Sequence, residues 1–246
     1  MKFVFPKIIC AIDDFYFRVN RKKFASDYDL PEGFTVTHHA GAMHTPANSI
    51  YSLVTAVDAD AQIIEFDVSF RPDGIPVIIH NPEPSSYQGV LLEDALAVVS
   101  THPTCKINLD IKSTKNLGAV DELVDSHGLT ERVFYTGVFE DWVETVRKDS
   151  SIPYYLNHKI TAEEASDTAL AQSVADKAKE LGAIGINSHF EFASRMFSDV
   201  MHSNGLLVSL WTVNNPNDMS RVLGLGADNI TTKRPCLLRK LVSYQK

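Results

Sequence analysis

Cysteine is scarce and poorly placed for a staple or a metal knuckle. The chain has only Cys10, Cys105 and Cys236, odd in number and far apart. They suggest neither a disulfide framework nor a CxxC metal signature, and a reduced compartment is their simplest setting. Cys105 and Cys236 read as buried packing. Cations are also in deficit. A total of 23 Lys and Arg against 31 Asp and Glu leaves a net charge of −8, which argues against nucleic acid as the main partner. No integral membrane segment is expected: the mildly apolar opening, MKFVFPKIICAIDD, is too short to span a bilayer. Pro6 and Lys7 interrupt it, and Asp13 and Asp14 follow without a small-residue cleavage site. It is therefore not read as a secretory signal, and the expected location is cytoplasmic. The chain has no linker, low-complexity tract or clear repeat, and no GxGxxG follows the first predicted strand.

What is present is a rhythm. With 246 residues, 44% of them hydrophobic, the chain can bury a sizeable core in one domain. Residues 7–24 have helical periodicity and end in Arg21-Lys22-Lys23, so residues 1–33 read as an N-terminal capping segment. A membrane-surface helix is the sharper reading of that segment, and Asp13 and Asp14 weigh against it. From residue 34 onward β-branched runs alternate with helical patterns. Strands are predicted at 34–41, 62–70, 105–112, 132–138, 152–158, 183–190, 206–213 and 228–234. Helices are predicted at 48–59, 91–101, 116–127, 139–148, 161–181, 192–204, 215–225 and 235–244. Eight β–α units in strict order predict an α/β fold, a (β/α)8 TIM-type barrel spanning 34–246 as a single domain. The run 76–81 is an additional strand that returns from a hairpin on the second stave.

That hairpin, Ile63 to Asn81, carries the chemistry. Alternation puts Glu65 and Asp67 on one side of the strand. Asp73-Gly74 marks a tight turn, and with those two residues as the turn, His80 would face Asp67. In a barrel of this kind active sites lie at the C-terminal strand ends, where His39, Asp110 with Lys112, Trp211 and Asn214 also fall, and where His158 and His189 read as rim residues. His38 alternates to the other side and reads as packing, while Asn48 and Ser49 read as helix caps. Glu65, Asp67 and Asp110 form a hard-oxygen set suited to Mg²⁺ or Ca²⁺, with zinc less suited. Lys112 would bind a phosphoryl oxygen, His39 and His80 would serve as general base and acid, and Trp211 would wall the substrate. Together they suggest metal-assisted phosphoester cleavage.

In chain order the motifs are HAGA from His39, PANS from Pro46, EFD from Glu65, DGIPVIIH from Asp73, NLDIK from Asn108, LWTVN from Leu210 and GADNITTKRP from Gly226. This series resembles the glycerophosphodiester phosphodiesterase family over about residues 34–236. The resemblance implies a TIM-type barrel that hydrolyses glycerophosphodiesters to glycerol 3-phosphate and an alcohol. It implies Glu65, Asp67 and Asp110 as ligands of a divalent cation, His39 and His80 as the acid–base pair, and Lys112 as a phosphate contact. It also implies attack by a substrate hydroxyl to give a cyclic phosphate that water then opens.

The departures are specific. The family's HRG arginine is Ala40 here, the PENT glutamate is Ala47, the third metal carboxylate is Asp110, and the TDRP aspartate is Lys233. Arg71, Lys233 and Arg234 are candidates to replace the lost guanidinium, and His44 could take over part of its contact. The family's insertion after the His80 strand is reduced to a loop at 82–90, which leaves room for a lysophospholipase D-like activity on a single-chain lipid. The alternative outside catalysis is a weak or inactive barrel that binds a phosphate ligand.

Overall fold

The computed structural model describes residues 4–24 and 28–244; the parts of the expected capping segment at 1–3 and 25–27, and of the expected barrel at 245–246, lie outside them. In chain order the elements begin with α1 (Val4–Asn20), β1 (Thr35–His38), α2 (Ile50–Asp58), β2 (Ile63–Phe70), β3 (Pro76–Ile78), β4 (Val90–Leu91), α3 (Leu92–Ser100), β5 (Lys106–Ile111) and α4 (Leu117–Ser126). They continue with β6 (Val133–Val138), α5 (Val143–Asp149), β7 (Tyr154–Asn157), α6 (Thr168–Leu181), β8 (Gly185–His189), α7 (Arg195–Ser203), β9 (Leu207–Trp211), α8 (Pro216–Leu223), β10 (Asn229–Thr232) and α9 (Pro235–Val242). The strand order β1-β10-β9-β8-β7-β6-β5-β2, with β1 also paired to β2, is that of a closed eight-stranded parallel barrel with helices between the strands. β3 and β4 extend β2 as antiparallel strands, the expected hairpin with one further short strand at the end of the 82–90 loop.

Two compact units divide the chain. The central unit comprises 39–41 and 45–157, and the terminal unit comprises 1–38, 42–44 and 158–246. In the central unit every residue of β2 is buried, as expected for a strand covered on both faces. Phe66, Leu109 and Tyr135 are among its largest fully buried side chains. Ser49 caps α2 by accepting from the Ser52 N–H at 3.1 Å.

The hairpin register corrects one expectation. Val68 pairs with Ile78, Ser69 with Val77 and Phe70 with Pro76, one residue out from the register that would oppose His80 to Asp67. The Asp67 carbonyl instead accepts from the Ile79 N–H at 3.0 Å. The cause is Pro72. Its fixed φ suits the second position of a turn closed by the Gly74 N–H on the Arg71 carbonyl, and Gly74 then takes φ +85° as the bulge residue. The loop therefore centres on Asp73. A one-residue shift transfers side chains to the other face, and His80 lies exposed beyond the end of β3.

In the terminal unit α1 packs along α9 and the residues just past it, where the Phe17 and Tyr244 rings meet edge-on at 5.3 Å. Asp13, buried, accepts from Arg234 Nη2 at 2.6 Å, and Asp14 pairs with Lys240 at 3.0 Å. The same contact joins Cys10 to Cys236 in a disulfide, which corrects the reading of unpaired cysteines and of Cys236 as packing alone. A separation of 226 residues leaves no spacing signal, and only the docking of the first helix on the last brings the pair together. Cys105 is a free buried thiol, pushed up to about 12 chiefly by burial. The helix expected from 161 starts at Thr168, because the Asp167 carboxylate captures the Ala169 and Leu170 N–H groups at 2.7 and 3.2 Å.

Candidate metal and phosphoester site

Two adjacent strands of the central unit bring the carboxylates together. β2 and β5 run parallel with Glu65 opposite Asn108 and Asp67 opposite Asp110. Period-two alternation puts Glu65 and Asp67 on one face, and Asp110 joins them from the neighbouring strand. One ligand oxygen from each of Glu65, Asp67 and Asp110 lies within 4.8 Å of the others. Lys112, just past the end of β5, reaches back to Asp110 Oδ2 at 2.7 Å and Asp67 Oδ1 at 2.9 Å.

The charges do not close. Three carboxylates face one ammonium; fully ionised, the four groups carry −2, which one divalent cation would cancel. Burial first, then the charges of Asp67 and Asp110, push the Glu65 carboxyl well above its usual range, against the Ala40 hydrogen bond and Lys112. Burial also raises Asp110, with Lys112 the main opposing influence. Although burial disfavours its charge, Lys112 is raised by Asp110 and Asp67.

One atom tests whether a cation fits. Asp110 Oδ1 is buried and has no hydrogen-bond partner. Beside it Gly137 stands at φ +79°, where a Cβ would collide with that oxygen and with the Ile111 carbonyl. A buried anionic oxygen with nothing to accept from, next to two other carboxylates and with no thiolate at hand, fits a hard divalent ion.

The loop after β1 completes the cluster. The Ala40 N–H donates to Glu65 Oε2 at 2.7 Å, and the His39 ring lies with Nδ1 3.8 Å from the same oxygen. His39 Nδ1 also meets the Ala40 carbonyl at 2.8 Å. A carbonyl only accepts, so Nδ1 carries the proton and Nε2 is the basic nitrogen. Asn48, at φ +53°, grips Asp67 twice: Nδ2 donates to Oδ2 at 2.6 Å, and Oδ1 accepts the Asp67 N–H at 3.0 Å. Asn48 thus supports the Asp67 carboxylate, and Ser49 alone is the helix cap. The asparagine of the PANS motif was the available signal.

Of the expected site residues, the structure brings together His39, Glu65, Asp67, Asp110 and Lys112; His80 is exposed off the shifted hairpin register. Trp211, His44 and Lys233 belong to the terminal unit. There Trp211 meets the His189 ring edge-on at 5.6 Å, and its Nε1 is buried without a partner. Lys233 is exposed, its N–H held by Asn214 Oδ1 at 2.8 Å and its carbonyl by the Met43 N–H at 3.0 Å, and the exposed His44 follows Met43 at φ +60°. Two proposed substitutes for the lost arginine are already engaged. Arg71 donates to the Gln88 and Gly89 carbonyls at 3.0 and 2.9 Å, and Arg234 holds Asp13. His158 pairs with Glu164 at 3.0 Å. His38 is buried and lowered to about 3, first by burial and then by the neighbouring Arg239 guanidinium that donates to its Nε2.

The sequence model of the glycerophosphoryl diester phosphodiesterase family matches residues 38–86 and 81–237. Solved structures share the fold. A phosphodiesterase of Oleispira antarctica, in complex with the product sn-glycerol-3-phosphate, is 17% identical with a TM-score of 0.69, over 87% of this chain and 98% of that one. Glycerophosphodiester phosphodiesterases of Parabacteroides distasonis (21% identity, TM-score 0.67, 85% of this chain and 96% of that one) and Agrobacterium tumefaciens (16%, 0.64, 84% and 99%) align over similar lengths. No curated protein sequence matches. The family match covers the strands from β2 to β10, the carboxylate cluster and both motif histidines, and the chain belongs to the glycerophosphoryl diester phosphodiesterase family, a phosphodiesterase by that membership.

Proposed function

We propose that the protein hydrolyses small glycerophosphodiesters to glycerol 3-phosphate and an alcohol with a divalent cation, Mg²⁺ or Ca²⁺, held by Glu65, Asp67 and Asp110. The observation that carries this reading is the cluster itself: the buried carboxylates of Glu65 and Asp67 and the half-buried one of Asp110 within 4.8 Å, one lysine among them, and an unpartnered Asp110 oxygen. A cation bound there would draw charge from a phosphoryl oxygen and hold the diester in place. The chain's own residues supply the rest. Asn48 and the Ala40 N–H fix the orientation of Asp67 and Glu65, as groups behind metal ligands generally do. His39 takes a proton at Nε2, and the imidazolium so formed is stabilised at Nδ1 by the Ala40 carbonyl and by Glu65. His80 is assigned the proton for the leaving alcohol, from the end of a hairpin that would have to bring its ring to the substrate. Lys112 is assigned a phosphoryl oxygen, exchanging part of its contact with Asp67 and Asp110 for it. Trp211, His44 and Lys233 are assigned to the substrate's outer parts, Lys233 being the basic candidate not engaged as Arg71 and Arg234 are.

The test is release of glycerol 3-phosphate from glycerophosphocholine with Mg²⁺ or Ca²⁺, comparing wild type with His39→Ala. Turnover that needs the cation and collapses in the variant is expected. No turnover with any metal or headgroup would favour a phosphate-binding barrel, and unchanged turnover in His39→Ala would refute the assigned base. A cytoplasmic location is part of the same proposal, tested by fractionation with thiol labelling. Recovery of the protein outside the cytoplasm with Cys10 and Cys236 permanently oxidised overturns it.

A further inference from the structure

We propose that α1 is a docking helix that lies in the surface of an anionic lipid bilayer, a role independent of the catalytic reading. Its inner face is committed to the barrel: Asp13 is buried on Arg234, Cys10 is bonded to Cys236, and Phe17 packs on Tyr244. The opposite face is apolar and bare. Ile8, Ile12, Phe15 and Val19 are 48%, 56%, 69% and 65% exposed, and the spacing of four, three and four residues puts them in one stripe along the helix. Tyr16, at 36%, borders the stripe. Single exposed apolar residues need no explanation, but a continuous stripe along about three turns does.

Charge selects the occupant. Residues 4–24 hold Lys7, Arg18, Arg21, Lys22 and Lys23 against Asp13 and Asp14, a net +3 within a chain of −8. The two aspartates are the residues that weigh against a membrane-surface helix in the sequence, and the structure removes the objection. Asp13 faces inward to Arg234, and Asp14 is neutralised between Lys240 at 3.0 Å and Arg18 at 2.7 Å. Arg21, Lys22 and Lys23 follow in an exposed turn at the end of the stripe. An apolar stripe edged by cations matches the acyl boundary and headgroups of an anionic leaflet. A second copy of the chain would instead set these cations against one another. No helix among the described residues is long and apolar enough to cross a membrane, so α1 would lie on the bilayer.

The experiment is co-sedimentation of the full chain with vesicles of phosphatidylcholine containing phosphatidylserine, against vesicles of phosphatidylcholine alone. Wild type should sediment with the anionic vesicles, and the bound fraction should fall in high salt. Lys22→Ala/Lys23→Ala should weaken this binding about 30-fold. Phe15→Glu should weaken it at least about tenfold by putting a charge where the apolar stripe enters the interface. Both variants change exposed side chains, and unchanged hydrolysis of a water-soluble diester would show that they fold. The proposal is overturned if wild type stays in the supernatant, if Phe15→Glu binds as well as wild type, or if light scattering finds a dimer that Phe15→Glu dissociates and vesicles do not.

Discussion

Buried charge is handled in opposite ways by the two units. In the terminal unit carboxylate and cation are matched one to one: Asp13 meets Arg234 at 2.6 Å through Oδ1, although its Oδ2 is buried without a hydrogen-bond partner, and His38 is the acceptor of an Arg239 hydrogen bond. In the central unit it is left open, with three carboxylates to one lysine and an Asp110 oxygen that accepts from nothing. Removing a partner from a closed pair leaves an uncompensated charge, so such pairs support the fold. An excess of one sign costs stability until something outside the chain cancels it, which is a reason to look for function there.

Four measurements sharpen or break this contrast. On the proposed ligand set, Asp110→Asn should lower diester hydrolysis by roughly 10³-fold, because one charged oxygen donor is removed where several kcal/mol of charge stabilisation are needed. It should leave the metal-free melting temperature unchanged or higher, since one of three mutually repelling carboxylates is gone; a large drop would make the cluster structural. Asp13→Ala should do the reverse. It strands Arg234, costs about 3 kcal/mol in urea unfolding, and leaves turnover of the folded protein intact. Asn48→Ala should weaken cation binding by about 10- to 100-fold, as for groups that orient ligands, and calorimetry with Ca²⁺ or Mg²⁺ measures it. The smallest effect is the pH slope of His38. Its folded value is depressed to about 3 from 6.5, so its contribution is present above pH 6.5 and is lost as pH falls towards 3. Over that window the slope is at most about 1.4 kcal/mol per pH unit, and His38→Asn should flatten it in pH-dependent melting.

Much of this was legible in the sequence where side-chain identity and period carry the information. Glu65 and Asp67 two apart within a run of Ile, Phe and Val specify one face of a buried strand, and Asp110 followed by Lys112 does so again. The repeated β–α alternation specifies the barrel. What escaped has no side-chain signature. An Ala40 N–H gripping Glu65 looks like any other peptide unit, so a position read as a lost arginine still serves the site through its backbone. Pro72 moved the turn by one residue, a small change in local chemistry with a full change of face for His80. Asn48 read as a cap because the same side chain can satisfy a helix end or a carboxylate, and only the left-handed backbone at 48 decides. Arg71 and Arg234 looked available because their carbonyl and carboxylate partners are distant in sequence. The cysteine pair was hidden by the same distance.

Gly137 gives the cluster a gauge. Every substitution among Glu65, Asp67, Asp110 and Lys112 alters charge and shape together, whereas residue 137 touches the third carboxylate with backbone alone. The room beside Asp110 Oδ1 is therefore set by the chain path of β6 at Gly137, where its register with β7 shifts. Ca²⁺ needs oxygens at about 2.3–2.6 Å and Mg²⁺ at about 2.0–2.1 Å, so a few tenths of an ångström in that path would discriminate between ions of equal charge. Selectivity by ionic radius would then reside in a residue that donates no ligand.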